Sequence, residues 1–79
     1  MMLYVNKEGT MITEIGITAG EIWHVLDEKS PTILRDVLKE IDAPRDLILM
    51  SLGWLAREGH VNVFKNENDY EVSLQQVVS

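Results

Sequence analysis

Apolar positions along this chain fall into three stretches of helical spacing followed by two short alternating runs. The first helical stretch carries Ala19, Ile22, Trp23 and Leu26 on one stripe, leaving Glu21, His24 and Glu28 on the opposite side. Thr18-Ala19-Gly20-Glu21 reads as a capping box in front of it, the threonine hydroxyl taking a free N–H and the glutamate reaching back. The helix is expected to run to about Glu28, because proline disfavours helical geometry in the residue before it and Ser30-Pro31 follows. The second stretch, about Ile33 to Ile41, turns Leu34, Val37, Leu38 and Ile41 inward, and Asp42-Ala43 forms a turn.

A third helix enters through Pro44, continues to about Glu58 and stops at Gly59, a residue suited to a left-handed C-cap. Val61-Asn62-Val63-Phe64 then reads as a strand, Asn66-Glu67-Asn68-Asp69 as a turn, and Tyr70-Glu71-Val72-Ser73-Leu74 alternates strictly as a returning strand. Three helices followed by a hairpin define an α+β winged helix-turn-helix over residues 15–76, with 77–79 as a tail. Residues 1–14 form an N-terminal extension. There Leu3, Val5 and Met11 flank Asn6-Lys7-Glu8-Gly9, a pattern that allows an extra hairpin or an arm. The expected core is Ile15, Ala19, Ile22, Trp23, Leu26, Leu34, Val37, Leu38, Ile41, Ile48, Leu52, Leu55, Val61, Val63, Val72 and Leu74.

Three blocks support the same fold by resemblance. Ile17-Thr18-Ala19-Gly20-Glu21-Ile22-Trp23-His24-Val25-Leu26, Pro44-Arg45-Asp46-Leu47 and Leu52-Gly53-Trp54-Leu55-Ala56-Arg57-Glu58 resemble a family of small uncharacterised winged helix-turn-helix domains of bacteria and archaea. The resemblance covers about residues 14–75. It implies the fold and a dimer, and it supplies no catalytic residues. The chain departs from the family pattern in its longer N-terminus and at Arg35, where a capping serine or threonine is more usual.

The surface of the third helix decides between functions. Ile48, Ser51, Leu52 and Leu55 form the stripe that packs inward. A DNA-reading helix presents polar and basic side chains elsewhere, for base edges and phosphates. Here Met50, Gly53 and Trp54 follow Leu47 as a second apolar stripe. A helix apolar on every side is covered on every side, and a chain of 79 residues has few layers to cover it with. Leu47, Met50, Gly53 and Trp54 are therefore the candidate protein interface, pointing to a homodimer or another protein partner. Coverage by the N-terminal segment is the plainer alternative.

Charge weighs the same way. Thirteen acids against seven lysines and arginines leave a net charge of −6, whereas nucleic-acid binders carry a basic patch. The wing tip holds Glu67 and Asp69 beside a single Lys65. The alternative reading is a DNA-binding transcriptional regulator contacting phosphates through Arg35, Lys39, Arg45, Arg57 and Lys65. Asp36, Glu40, Asp42 and Asp46 are interleaved with those bases.

Other chemistry has little support. Glu21, His24 and Glu28 share a helix face, a donor set with metal-site character, but exposed acids around one histidine are more simply a solvated face. His60 is expected at the base of the wing. No phosphate loop or nucleophile–histidine–acid pattern occurs. The expectation is a non-enzyme with no cofactor and no metal; a small-ligand sensor is a third, weaker idea. Without cysteine there is no disulfide or thiolate site. The start, MMLYVNKEGT, has neither a basic nor an apolar signal region, and no apolar run is long enough to span a membrane. A cytoplasmic location is expected.

Overall fold

The computed structural model describes residues 10–75. The elements are α1 (Ile12–Lys29), β1 (Thr32–Ile33), α2 (Leu34–Glu40), α3 (Arg45–Arg57), β2 (Val61–Lys65) and β3 (Tyr70–Leu74). The three strands form one antiparallel sheet in the order β1-β3-β2. Val61 pairs with Leu74, Val63 with Val72 and Lys65 with Tyr70, while Thr32 and Ile33 pair with Val72 and Glu71 on the other side of β3. This is the winged helix expected from the pattern, with one strand added.

Each helix boundary has a local cause. α1 stops where Pro31 follows Ser30, and the Ser30 N–H closes the last turn on the Leu26 carbonyl at 2.8 Å. Pro44 caps α3 from outside with extended backbone (ψ 144°), and its carbonyl accepts the Ile48 N–H. At the other end Gly59 adopts φ +83°, with Gly59 N–H on the Ala56 carbonyl and His60 N–H on the Leu55 carbonyl. That pair of bonds is a Schellman closure, and it turns the chain directly into β2.

The core is built from Ala19, Ile22 and Leu26 of α1, Leu34 and Val37 of α2, Ile41, Ile48, Leu52 and Leu55 of α3, Val61 and Val72. Ser51 is fully buried among them and donates its hydroxyl to the Leu47 carbonyl at 2.7 Å. Val25, Leu38, Ala43, Ala56 and Leu74 pack half-buried against this cluster. Two polar contacts tie the ends together: Lys29 Nζ meets Glu40 Oε2 at 2.6 Å, and the Leu74 N–H donates to Ser30 Oγ at 3.0 Å.

Several sequence expectations are corrected. α1 begins at Ile12, six residues before the expected cap, so Thr18 is a buried mid-helix residue and no capping box forms. The reason is that Ile15 lies one turn before Ala19 and, half-buried, extends the same inward stripe toward the N-terminus. Met11 is the N-cap of α1, not part of a second hairpin strand; the rest of that expected hairpin, Leu3 to Gly9, lies outside the described residues. α2 is shorter than expected because Thr32 and Ile33 are drawn into the sheet. Trp23 and Val63 are exposed rather than core, and Ile15 is half-buried.

Candidate interaction surface

At about 100° per residue, the stripe of α3 opposite Ile48, Ser51, Leu52 and Leu55 consists of Asp46, Met50, Gly53 and Arg57. One flank of that stripe, toward α1, carries Leu47 and Trp54. The other, toward the wing, carries Arg45, Leu49 and Ala56.

Of the predicted interface residues, Met50 is 44% exposed and Trp54 47% exposed, while Leu47 is half-buried. Gly53 is exposed, and a Cβ added there meets nothing within 4 Å among the described residues, so crowding by them does not require the glycine. Trp54 lines a groove of about 300 Å³ with Gly16, Gly20, Trp23 and His60. Leu47 lines a neighbouring hollow of about 270 Å³ with Ile17, Glu14, Glu21 and Pro44. The apolar surface of α3 thus continues onto α1 through Ile17 and Trp23, both exposed.

Sequence reasoning missed Ile17 and Trp23 as surface. Trp23 sits at the margin of the α1 stripe, where helical spacing alone does not separate an inward side chain from one lying along the edge. It also missed the wing side. Leu49, Gly53, Ala56, Val63 and Tyr70 line an apolar groove of about 510 Å³ between α3 and the hairpin. In β2, Phe64 is exposed on the opposite face of the sheet from Val63.

The candidate DNA contacts do not gather into one basic face. Arg35 and Arg45 line a pocket of about 320 Å³ where α2, α3 and the wing tip meet, but Asp69 lines it too. The Arg35 guanidinium lies 4.0 Å from the Asp69 carboxylate. Lys65 stacks its ammonium over the Tyr70 ring at 5.0 Å. Lys39 lies in the last turn of α2, and Arg57 closes α3. The stripe that a DNA reader inserts between phosphates therefore carries an acid at one end, two uncharged positions and a single cation.

His60 is exposed; its carbonyl accepts the Gln75 N–H at 2.9 Å, and its side chain borders the Trp54 groove. Glu21, His24 and Glu28 are exposed on α1. Among the described residues no three histidine or carboxylate side chains converge as a metal site. The Lys29 ammonium is held above its ordinary value by the Glu40 hydrogen bond first and the Glu40 charge second. No described helix is long and apolar enough to cross a membrane.

Fold and surface together define a winged helix-turn-helix domain whose third helix is unusually apolar outside. Comparison with known sequences agrees: the profile of the winged helix-turn-helix domain family DUF2582 matches residues 8–74, and the chain belongs to that family. It is similar to uncharacterized protein MJ1608 of Methanocaldococcus jannaschii, with 34% identity over 64 residues, covering 78% of this chain and 91% of the relative. No solved structure matches the chain.

Proposed function

We propose that this winged helix is a non-catalytic protein-interaction module that self-associates through the outer surface of α3. The observation that carries the reading is the pairing of two large exposed apolar side chains on α3, Met50 and Trp54, with Trp23 and Ile17 beside them on α1. Tryptophan and methionine are enriched in the desolvated centres of interfaces, and a contiguous apolar patch is costly to leave in water. Arginine, by contrast, appears on this stripe only at its end.

The mass of the intact chain in solution tests the reading. Sedimentation equilibrium is expected to return twice the 9.0 kDa of one chain. Trp54→Ala and Met50→Asp are expected to return a folded species of single-chain mass. Dimer mass retained in both variants, or a wild-type chain that stays monomeric at the highest concentrations, overturns it.

One observation favours a second reading, DNA binding: Arg35 and Arg45 converge on a single pocket beside the wing tip. Titration of a labelled mixed-sequence duplex at low ionic strength separates the two. Affinity that falls steeply with salt and is lost in Arg45→Ala supports the regulator. Absence of binding at low salt, where the electrostatic attraction is greatest, removes it.

A further inference from the structure

The outer stripe of α3 is self-complementary when read in reverse. Asp46 and Arg57 are equidistant from the point between Ser51 and Leu52, half a residue from the centre of the helix, and so are Met50 and Gly53. All four lie on the stripe opposite the core and all are exposed. Neither Asp46 nor Arg57 has an ion-pair partner among the described residues. The charges stand eleven positions apart, about 16 Å along the axis at 1.5 Å per residue, with no other charge on the stripe between them.

We infer that the partner of this surface is a second copy of the same chain, with α3 lying antiparallel to α3 across a two-fold axis that passes between Ser51 and Leu52. This rests on the self-association reading and deepens it by fixing the orientation and register of the two helices. In a two-fold contact the same patch serves both sides, so each residue must suit the one that symmetry places opposite it. The two-fold brings Asp46 of each copy against Arg57 of the other, closing two ion pairs at the ends of the contact. It brings Met50 of each copy over Gly53 of the other, where the missing side chain leaves room for the thioether. Trp54 and Leu47 lie on the same flank of the stripe, and the operation sets Trp54 of one copy beside Leu47 and Met50 of the other. An interior helix glycine costs up to about 1 kcal/mol against alanine; nothing among the described residues requires that cost at Gly53, and a close crossing of two helices does.

A parallel pairing matches none of this: it sets Asp46 near Asp46 and Arg57 near Arg57. The antiparallel contact also covers the stripe that a DNA-reading helix needs, so it accounts for the poverty of bases there.

The test uses two single-charge reversals, Asp46→Arg and Arg57→Asp, measured separately and mixed in equal amounts by sedimentation at low ionic strength, where screening is weak. Each reversal alone places like charges against each other at both ends of the contact and is expected to weaken the homodimer about tenfold or more. Mixed, the two variants restore both ion pairs, and a heterodimer of near wild-type affinity is expected. The restoration also shows that both variants fold. If the wild-type chain dimerises but the single reversals dimerise equally well, or the mixture fails to recover, the register is overturned and self-association stands. A monomeric wild type overturns both.

Discussion

Trp23 of α1 and Trp54 of α3 line the same groove, and neither is buried: 40% of one and 47% of the other remain exposed. Gly16 and Gly20 lie beside them without a side chain to fill the space between. Their fluorescence is therefore a direct report on what covers this face. Under the self-association reading, emission in a dilute sample is that of water-exposed indole, and it moves to the blue as concentration rises. Trp54→Ala is expected to abolish most of that shift. Emission independent of concentration, in a range where sedimentation shows the mass doubling, places the contact elsewhere.

Ile22 and Trp23 are neighbours in sequence with opposite energetic roles. Ile22 is fully buried at the centre of the core, so Ile22→Ala leaves a cavity and is expected to cost about 2–5 kcal/mol. That is a large part of the stability of a domain this small. Trp23→Ala removes a bulkier side chain, yet one already half in water, and is expected to cost the protomer less than about 2 kcal/mol. Urea titrations of both variants at concentrations where the chain is monomeric check the order. Equal losses would show that Trp23 supports the core after all.

How much of this was legible follows from which signals are local. α3 and the hairpin could be read because Pro44, Gly59 and the strict alternation of Tyr70–Leu74 each act on adjacent residues. The buried face of α3 was legible too, since all four residues of its inner stripe are buried. The start of α1 was not. Thr18-Ala19-Gly20-Glu21 has the composition of a cap, and glycine at position 16 is a poor helix former by propensity alone, a preference that tertiary packing of the longer α1 stripe overrides. β1 is two residues long and exists only because β3 offers an edge to Thr32 and Ile33. The surface was half legible: Leu47, Met50 and Trp54 follow from spacing on one helix. Trp23, Ile17 and the α3–wing groove need the relative placement of two elements.

Gly59 sits at φ +83°, a conformation that costs residues with a Cβ about 1–2 kcal/mol. No atom of the described residues crowds the position, so the expected cost of substitution is conformational. Gly59→Ala is expected to lower stability by about 1 kcal/mol, and Gly59→Asn by less, since asparagine tolerates the left-handed region. Thermal unfolding of the two variants gives the order. Equal effects would point to side-chain contacts instead of backbone strain.

The Lys29–Glu40 pair predicts a pH dependence of definite sign. The folded state holds the Lys29 proton more tightly than the ordinary value of 10.5. Its contribution is therefore complete below pH 10.5 and is lost as pH rises through the higher folded value. Because both groups are exposed and screened, the effect is small. Lys29→Met is expected to melt slightly below wild type at neutral pH, with the gap closing in strong base and also in high salt. A gap that persists in strong base would assign the effect to packing of the lysine stem.

Gly53 separates folding from association. It is an exposed interior helix residue that no described residue crowds, so Gly53→Ala in the monomer is expected to raise stability by up to about 1 kcal/mol through helix propensity and a less flexible unfolded chain. In the antiparallel α3 contact the added methyl stands where Met50 of the second copy enters, and Gly53→Leu fills that space entirely. The two variants are expected to unfold at higher urea as monomers and yet to dimerise progressively more weakly, alanine before leucine. Urea titration in the dilute regime and sedimentation in the concentrated one measure the two effects independently. If stability and affinity rise together, the helices do not cross at Gly53, and its presence there needs another cause.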